Sequence, residues 1–189
     1  MLVARLVAVA LTGAVCAQGT LTVPAAVTNR DGTSSLVGAG FVDARRQQFL
    51  FGPTHLATVA GRDLTALRLR RDGFVVEQAA GRVNLTVTAS ASTLLDARAP
   101  SPVFAENHLA PPTTLFQGVL DLPFSPRLPH AHAATWVTPD AITIPFAMPF
   151  RYAAGTLCVQ LDGTPDATAP SKRSASMRAS CPSRRRNGS

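Results

Sequence analysis

Apolar and polar side chains alternate at every second position through much of the chain between residues 20 and 162, and no other feature restricts its fold as strongly. From Arg82 to Ser90, Val83, Leu85, Val87 and Ala89 belong to one face and Arg82, Asn84, Thr86, Thr88 and Ser90 to the other. This pattern predicts a half-buried strand. Thr65, Leu67 and Leu69 alternate with Arg68 and Arg70 before the turn Arg71-Asp72-Gly73. Gln47, Phe49 and Phe51 alternate with Gln48 and Leu50 before Gly52-Pro53. Leu157, Val159 and Leu161 alternate with Cys158 and Gln160 before Asp162-Gly163, and Ile142, Ile144 and Phe146 share a face.

Shorter strands are expected at Thr20 to Val23, Phe74 to Gln78, Thr114 to Leu120 and Thr135 to Thr138. A helix over Val42 to Gln48 is the competing local reading, but it lacks a cap and runs into an aromatic, strand-like segment. Ten of the fifteen prolines fall between Pro100 and Pro149, which forbids long helices there and confines strands to edges or short pieces. Many short strands joined by turns predict an all-β fold, an antiparallel β-sandwich of jelly-roll or immunoglobulin-like kind.

Met1 to Ala17 has the build of a cleaved signal peptide, with Arg5 at its start, an apolar Leu6 to Leu11 and the small residues Val15-Cys16-Ala17 before the cut. The apolar run is too short to span a bilayer, so no transmembrane segment is expected after its removal. The expected location is secreted: extracellular, cell-surface or periplasmic. Residues 18-164 then form the sandwich domain and 165-189 a linker and disordered basic tail.

The formal net charge of +7 would suggest a polyanion partner if it lay on the folded body. It does not: Gln18 to Ala169 holds eleven Arg and eleven Asp plus Glu, and the excess sits on Arg5 and on Lys172, Arg173, Arg178, Arg184, Arg185 and Arg186. Nucleic acid is therefore not an expected partner of the domain, although Arg184 to Arg186 offer a polyanion-binding tail as a separate idea. Ser171 to Ser189 is almost entirely Ser, Arg, Ala and Pro and cannot build a core. A shifted reading frame would yield the same mixture and leave a sheet edge unpaired after Asp162.

Cys158 and Cys181 remain after processing, and an oxidising compartment permits a bridge between them. It would close a loop of roughly 20 residues and contribute about 3 kcal/mol.

Candidate chemistry is sparse. His130 and His132 share a side in an extended segment, as metal ligands would, but their loop supplies no third ligand before Asp140. Glu106 and His108 flank Asn107; they suit a general acid/base pair or, more simply, a turn shaped by Asn107. Cys158 lies in a strand with no adjacent base, which favours a packed or bridged thiol. Asp121, Asp140 and Asp162 near strand ends read as turn formers. Phe146, Phe150, Tyr152 and Trp136 are either core and rim or a stacking surface for sugars. No nucleophile elbow, phosphate loop or zinc-protease helix is present in the sequence.

The segments Leu67 to Gly73, Phe104-Ala105-Glu106-Asn107-His108 and Ile144 to Tyr152, followed by Gly155-Thr156-Leu157, resemble a group of uncharacterised secreted proteins of planctomycete-type bacteria. The resemblance covers roughly residues 20 to 162 and implies a secreted β-sandwich with no assigned activity, cofactor or catalytic residue. The expected function is a non-catalytic module binding an extracellular glycan or protein. The alternative is an extracellular hydrolase, metal-assisted or not, built on Glu106, His108, His130, His132 or Asp140.

Overall fold

The computed structural model describes residues 9–13, 19–29, 43–71, 77, 79–92, 99–128 and 134–166. Among these residues eight strands form two four-stranded sheets, and every pairing is antiparallel. In chain order they are β1 (Val9–Gly13), β2 (Thr20–Val23), β3 (Arg45–Phe51), β4 (Arg62–Arg70), β5 (Gly81–Ala91), β6 (Thr113–Leu122), β7 (Ala141–Tyr152) and β8 (Leu157–Pro165). Sheet A has the order β2-β1-β4-β7 and sheet B the order β3-β8-β5-β6. The chain thus passes from sheet B to A after β3, back after β4, and once more each way around β7.

Alternation is what unites the sheets. Leu64, Leu67, Leu69 and Ile144 of sheet A meet Phe51, Val83, Leu85, Val87, Leu157, Val159 and Leu161 of sheet B in one buried cluster. Apolar burial contributes roughly 25 cal/mol per Å², so a shared core of this make-up is the main stabilising term. Pro53 occupies the first turn of a short helix, α1 (Pro53–Leu56), where its missing N–H costs nothing, and Leu56 is fully buried beneath it. Gly61, at φ 71°, then turns the chain into β4 while its N–H reaches the Tyr152 carbonyl at 2.8 Å. At this same end of β7 the buried Tyr152 hydroxyl donates to Gly155 O at 2.6 Å, and burial pushes its pKa up.

Several boundaries depart from the sequence reading. Val9–Gly13, inside the expected signal peptide, lies between β2 and β4. Thr135 to Thr138 is bend and turn rather than strand, because Asp140 draws this segment inward. Asp162-Gly163 is no turn: β8 continues through it to Pro165, and Asp166 N still bonds to Arg82 O at 2.9 Å. Nor is β8 an open edge, since β3 and β5 flank it on both sides. Residues 45–51 form a strand and not the end of a helix.

The prolines act as expected at an edge. β7 borders sheet A, and its ladder to β4 jumps from Ala66↔Pro145 to Leu64↔Phe150, leaving Phe146 to Pro149 outside the register. Pro145 and Pro149 have no N–H to give, so the bulge falls where pairing is already impaired. Of the expected strand over Phe74 to Gln78 only Glu77 is among the described residues, and it is not in a strand; the tail after Ala169 lies outside them.

A polar track on the outer face of sheet B

The polar half of the alternation forms the outer surface of sheet B. Register pairing sets Arg46, Asp162, Thr86 and Gln117 side by side across β3, β8, β5 and β6. The next row toward the other end of the sheet carries Gln48, Gln160 and Thr88, and the one beyond it Leu50, Cys158 and Ser90. A strand periodicity of two therefore builds a lattice of amide, hydroxyl and charged groups without any loop having to place them.

One end of this lattice is roofed. A 3-10 turn, Phe104–Asn107, seats Asn107 over β3 with 1% of its surface exposed. Asn107 Oδ1 accepts from Ser101 N at 2.9 Å, and its Nδ2 donates to Ser101 O at 3.0 Å and Gln48 Oε1 at 2.8 Å. Both N–H groups and the oxygen of the amide are thus engaged, as buried polar groups usually are.

His108 follows, and its proton can be placed from its neighbours. Ser90 Oγ donates to Ala91 O at 2.8 Å, so at 2.6 Å from His108 it acts as acceptor for Nδ1–H. Nε2 then carries the lone pair and accepts from Gln48 Nε2 at 3.0 Å, with Cys158 Sγ 3.8 Å away. Gln48 Nε2 also faces Phe104 O at 3.0 Å and Gln160 Oε1 at 2.8 Å, so its two hydrogens are shared among three acceptors.

The open remainder of the lattice forms two grooves. One, of about 700 Å³, is lined by Arg45, Arg46, Asn84, Thr86, Gln117, Asp162 and Thr164 among others. The other, of about 510 Å³, has Arg46, His108 and Gln160 on one side and Phe104, Leu109, Pro111 and Pro112 on the other. Arg46 lines both. The charges on this face are matched: Arg46 pairs with Asp162, Arg45 with Asp43 at 3.1 Å, and Gln160 donates to Asp162 at 2.6 Å.

The candidate residues fall into separate places. Glu106 accepts from Ser101 Oγ at 2.5 Å, while His108 turns to Ser90 and Gln48. His130 and His132 lie outside the described residues. Cys158 is a buried free thiol, and burial pushes its pKa up to about 12; Cys181, its expected bridge partner, lies outside the described residues. Among the described residues no group of three His, Cys, Asp or Glu could hold a metal ion. Nor does any described helix have the length and apolarity to cross a membrane.

Asp140 closes a turn, its N–H bonding to Val137 O at 2.9 Å, and its side chain is in addition a buried anchor. Arg71 Nε lies 3.1 Å from its Oδ1, with the two side chains 3% and 8% exposed. Ser125 Oγ donates to it at 3.0 Å and the Thr135 N–H at 3.0 Å. Burial alone would raise its pKa, but the Thr135 and Ser125 hydrogen bonds and the Arg71 charge together hold it below the ordinary carboxylate value.

The aromatics do not gather on a sugar-stacking surface. Tyr152 is in the core, Phe146 and Phe150 pack against it, and Trp136 lies with Arg70 4.7 Å and Arg68 5.9 Å from its ring centre. Sequence reasoning overlooked Ser90, Gln48 and Gln160 as members of a site. The signal was present in the polar partners of each alternating run, whose shared surface appears only once the strands are ordered. Compared with known proteins, the chain matches no family model, no curated protein and no solved structure.

Proposed function

We propose that this chain is an exported, non-catalytic binding module, a β-sandwich of jelly-roll or immunoglobulin-like kind whose sheet B takes an extended, uncharged glycan along its outer face. The observation that carries this reading is the pair of grooves meeting at Arg46, floored by Asn84, Thr86, Gln117 and Gln160. Amides and hydroxyls offer donors and acceptors that match sugar hydroxyls, and the Phe104, Leu109 and Pro111 wall suits the apolar face of a sugar ring. Because the local charges are paired, the track favours a neutral ligand over a polyanion. The leader pattern of Met1 to Ala17 supports export. The likeness to secreted planctomycete-type proteins belongs to the same proposal.

A glycan array probed with the purified chain tests it. Retention by a neutral glycan, weakened at least tenfold by Asn84→Ala combined with Gln117→Ala and untouched by Arg151→Ala on sheet A, supports the track. Absence of retention, or retention indifferent to the double substitution, overturns it. Release of reducing ends from the retained glycan would transfer the assignment to the hydrolase alternative.

A further inference from the structure

β1 is the place where leader and fold compete for the same residues. Val9–Gly13 is an inner strand of sheet A, antiparallel to both neighbours, with Val9 opposite Val23 and Leu69 and Leu11 opposite Leu21 and Leu67. Val23, Leu67 and Leu69 belong to the core cluster and Leu21 packs against it. Among the described residues β2 has no other strand partner than β1. If Met1 to Ala17 is cut away on export, the facing N–H and C=O groups of β2 and β4 lose their partners, and four core-facing side chains lose the strand between them.

We propose that the processed protein holds an acceptor slot between β2 and β4, filled by a strand donated from another polypeptide. This rests on the export reading above. The occupant is specified by the strand seen in the slot: an extended segment antiparallel to β4, apolar where it meets Val23 and Leu69 and again where it meets Leu21 and Leu67. In the register Ala10 stands opposite Thr22 and Arg68, and Thr12 opposite Thr20 and Ala66, so the alternate positions of the occupant are small or hydroxyl residues. Pairing with two strands at once supplies backbone hydrogen bonds on both sides, which a single sheet edge cannot do. The other border of the sheet is a poorer acceptor, because Pro145 and Pro149 interrupt the donors of β7.

The test uses the chain purified after export. Its intact mass shows whether Met1 to Ala17 has been removed, and amide exchange is then followed with and without a synthetic peptide copying Leu6 to Val15. The expected result is a processed chain in which the peptide slows exchange at Leu21 to Val23 and at Leu64 to Leu69 at least tenfold, while the same peptide carrying Leu11→Pro does not. A processed chain whose exchange is unchanged, or slowed equally by both peptides, overturns the slot and leaves export standing. A mass that retains Met1 overturns both cleavage and slot.

Discussion

Two loops are fastened to this framework in opposite ways. The segment leading into β7 is held by charge, through Asp140 and Arg71, which are almost wholly buried. The segment leading into β6 is held by uncharged groups, through Asn107, His108, Gln48 and Ser90. A buried ion pair is costly to desolvate and fails badly when one partner is removed, whereas amide and hydroxyl bonds fail one at a time. The contrast predicts which loop is brittle.

The largest effect is expected at the charged anchor. Asp140→Asn leaves Arg71 buried without its counter-charge, and Arg71 Nη2 has no hydrogen-bond partner to fall back on. Loss of about 3–5 kcal/mol in a urea unfolding titration is expected. Acid should act on the same point. Because the folded-state pKa of Asp140 is lowered from 3.8, its contribution is present above that value and is lost as pH falls through the lowered one. Unfolding midpoints measured from pH 5 to pH 2 should therefore converge between the original chain and Asp140→Asn at the acid end. Parallel curves would show that the ion pair does not set the acid limit.

At the uncharged anchor, Asn107→Ala removes three hydrogen bonds and leaves Gln48 Oε1 short of a donor. A loss of about 1–3 kcal/mol with little pH dependence is expected in the same titration. The smallest change should come from Arg151→Ala. Its pair with Asp63 at 3.4 Å is exposed, and less than about 1 kcal/mol should separate it from the original chain. An exposed pair that proved as costly as Asn107 would erase the distinction between the two loops.

These two loops also mark where sequence reasoning stops. The strands Arg82 to Ser90 and Gln47 to Phe51 are legible because neighbouring residues alone decide a period of two. Asp140 as a turn former is legible and holds, but nothing nearby in sequence announces its pairing with Arg71, which lies beyond β5 and β6 in the chain. Thr135 to Thr138 is misread as strand for the same reason: β-branched composition favours extension, but the Asp140 carboxylate captures the Thr135 backbone and bends the chain. Asn107 as a turn former is legible; its bond to Gln48, 59 residues away, is not. Val9–Gly13 illustrates a different difficulty, since short apolar runs serve leaders and inner strands equally well.

The placement of β8 between β3 and β5 has a consequence for how this molecule is made. Arg46 and Asp162 are 116 positions apart, so the chain has to grow through β4, β5, β6 and β7 before β3 can find its neighbour. Sheet B cannot close between β3 and β5 until β8 is made, and such distant pairings are slow to form. During that wait β3 and the β8-facing edge of the β5-β6 pair are exposed and sticky, and a cell producing this protein has to shield them until β8 has been made.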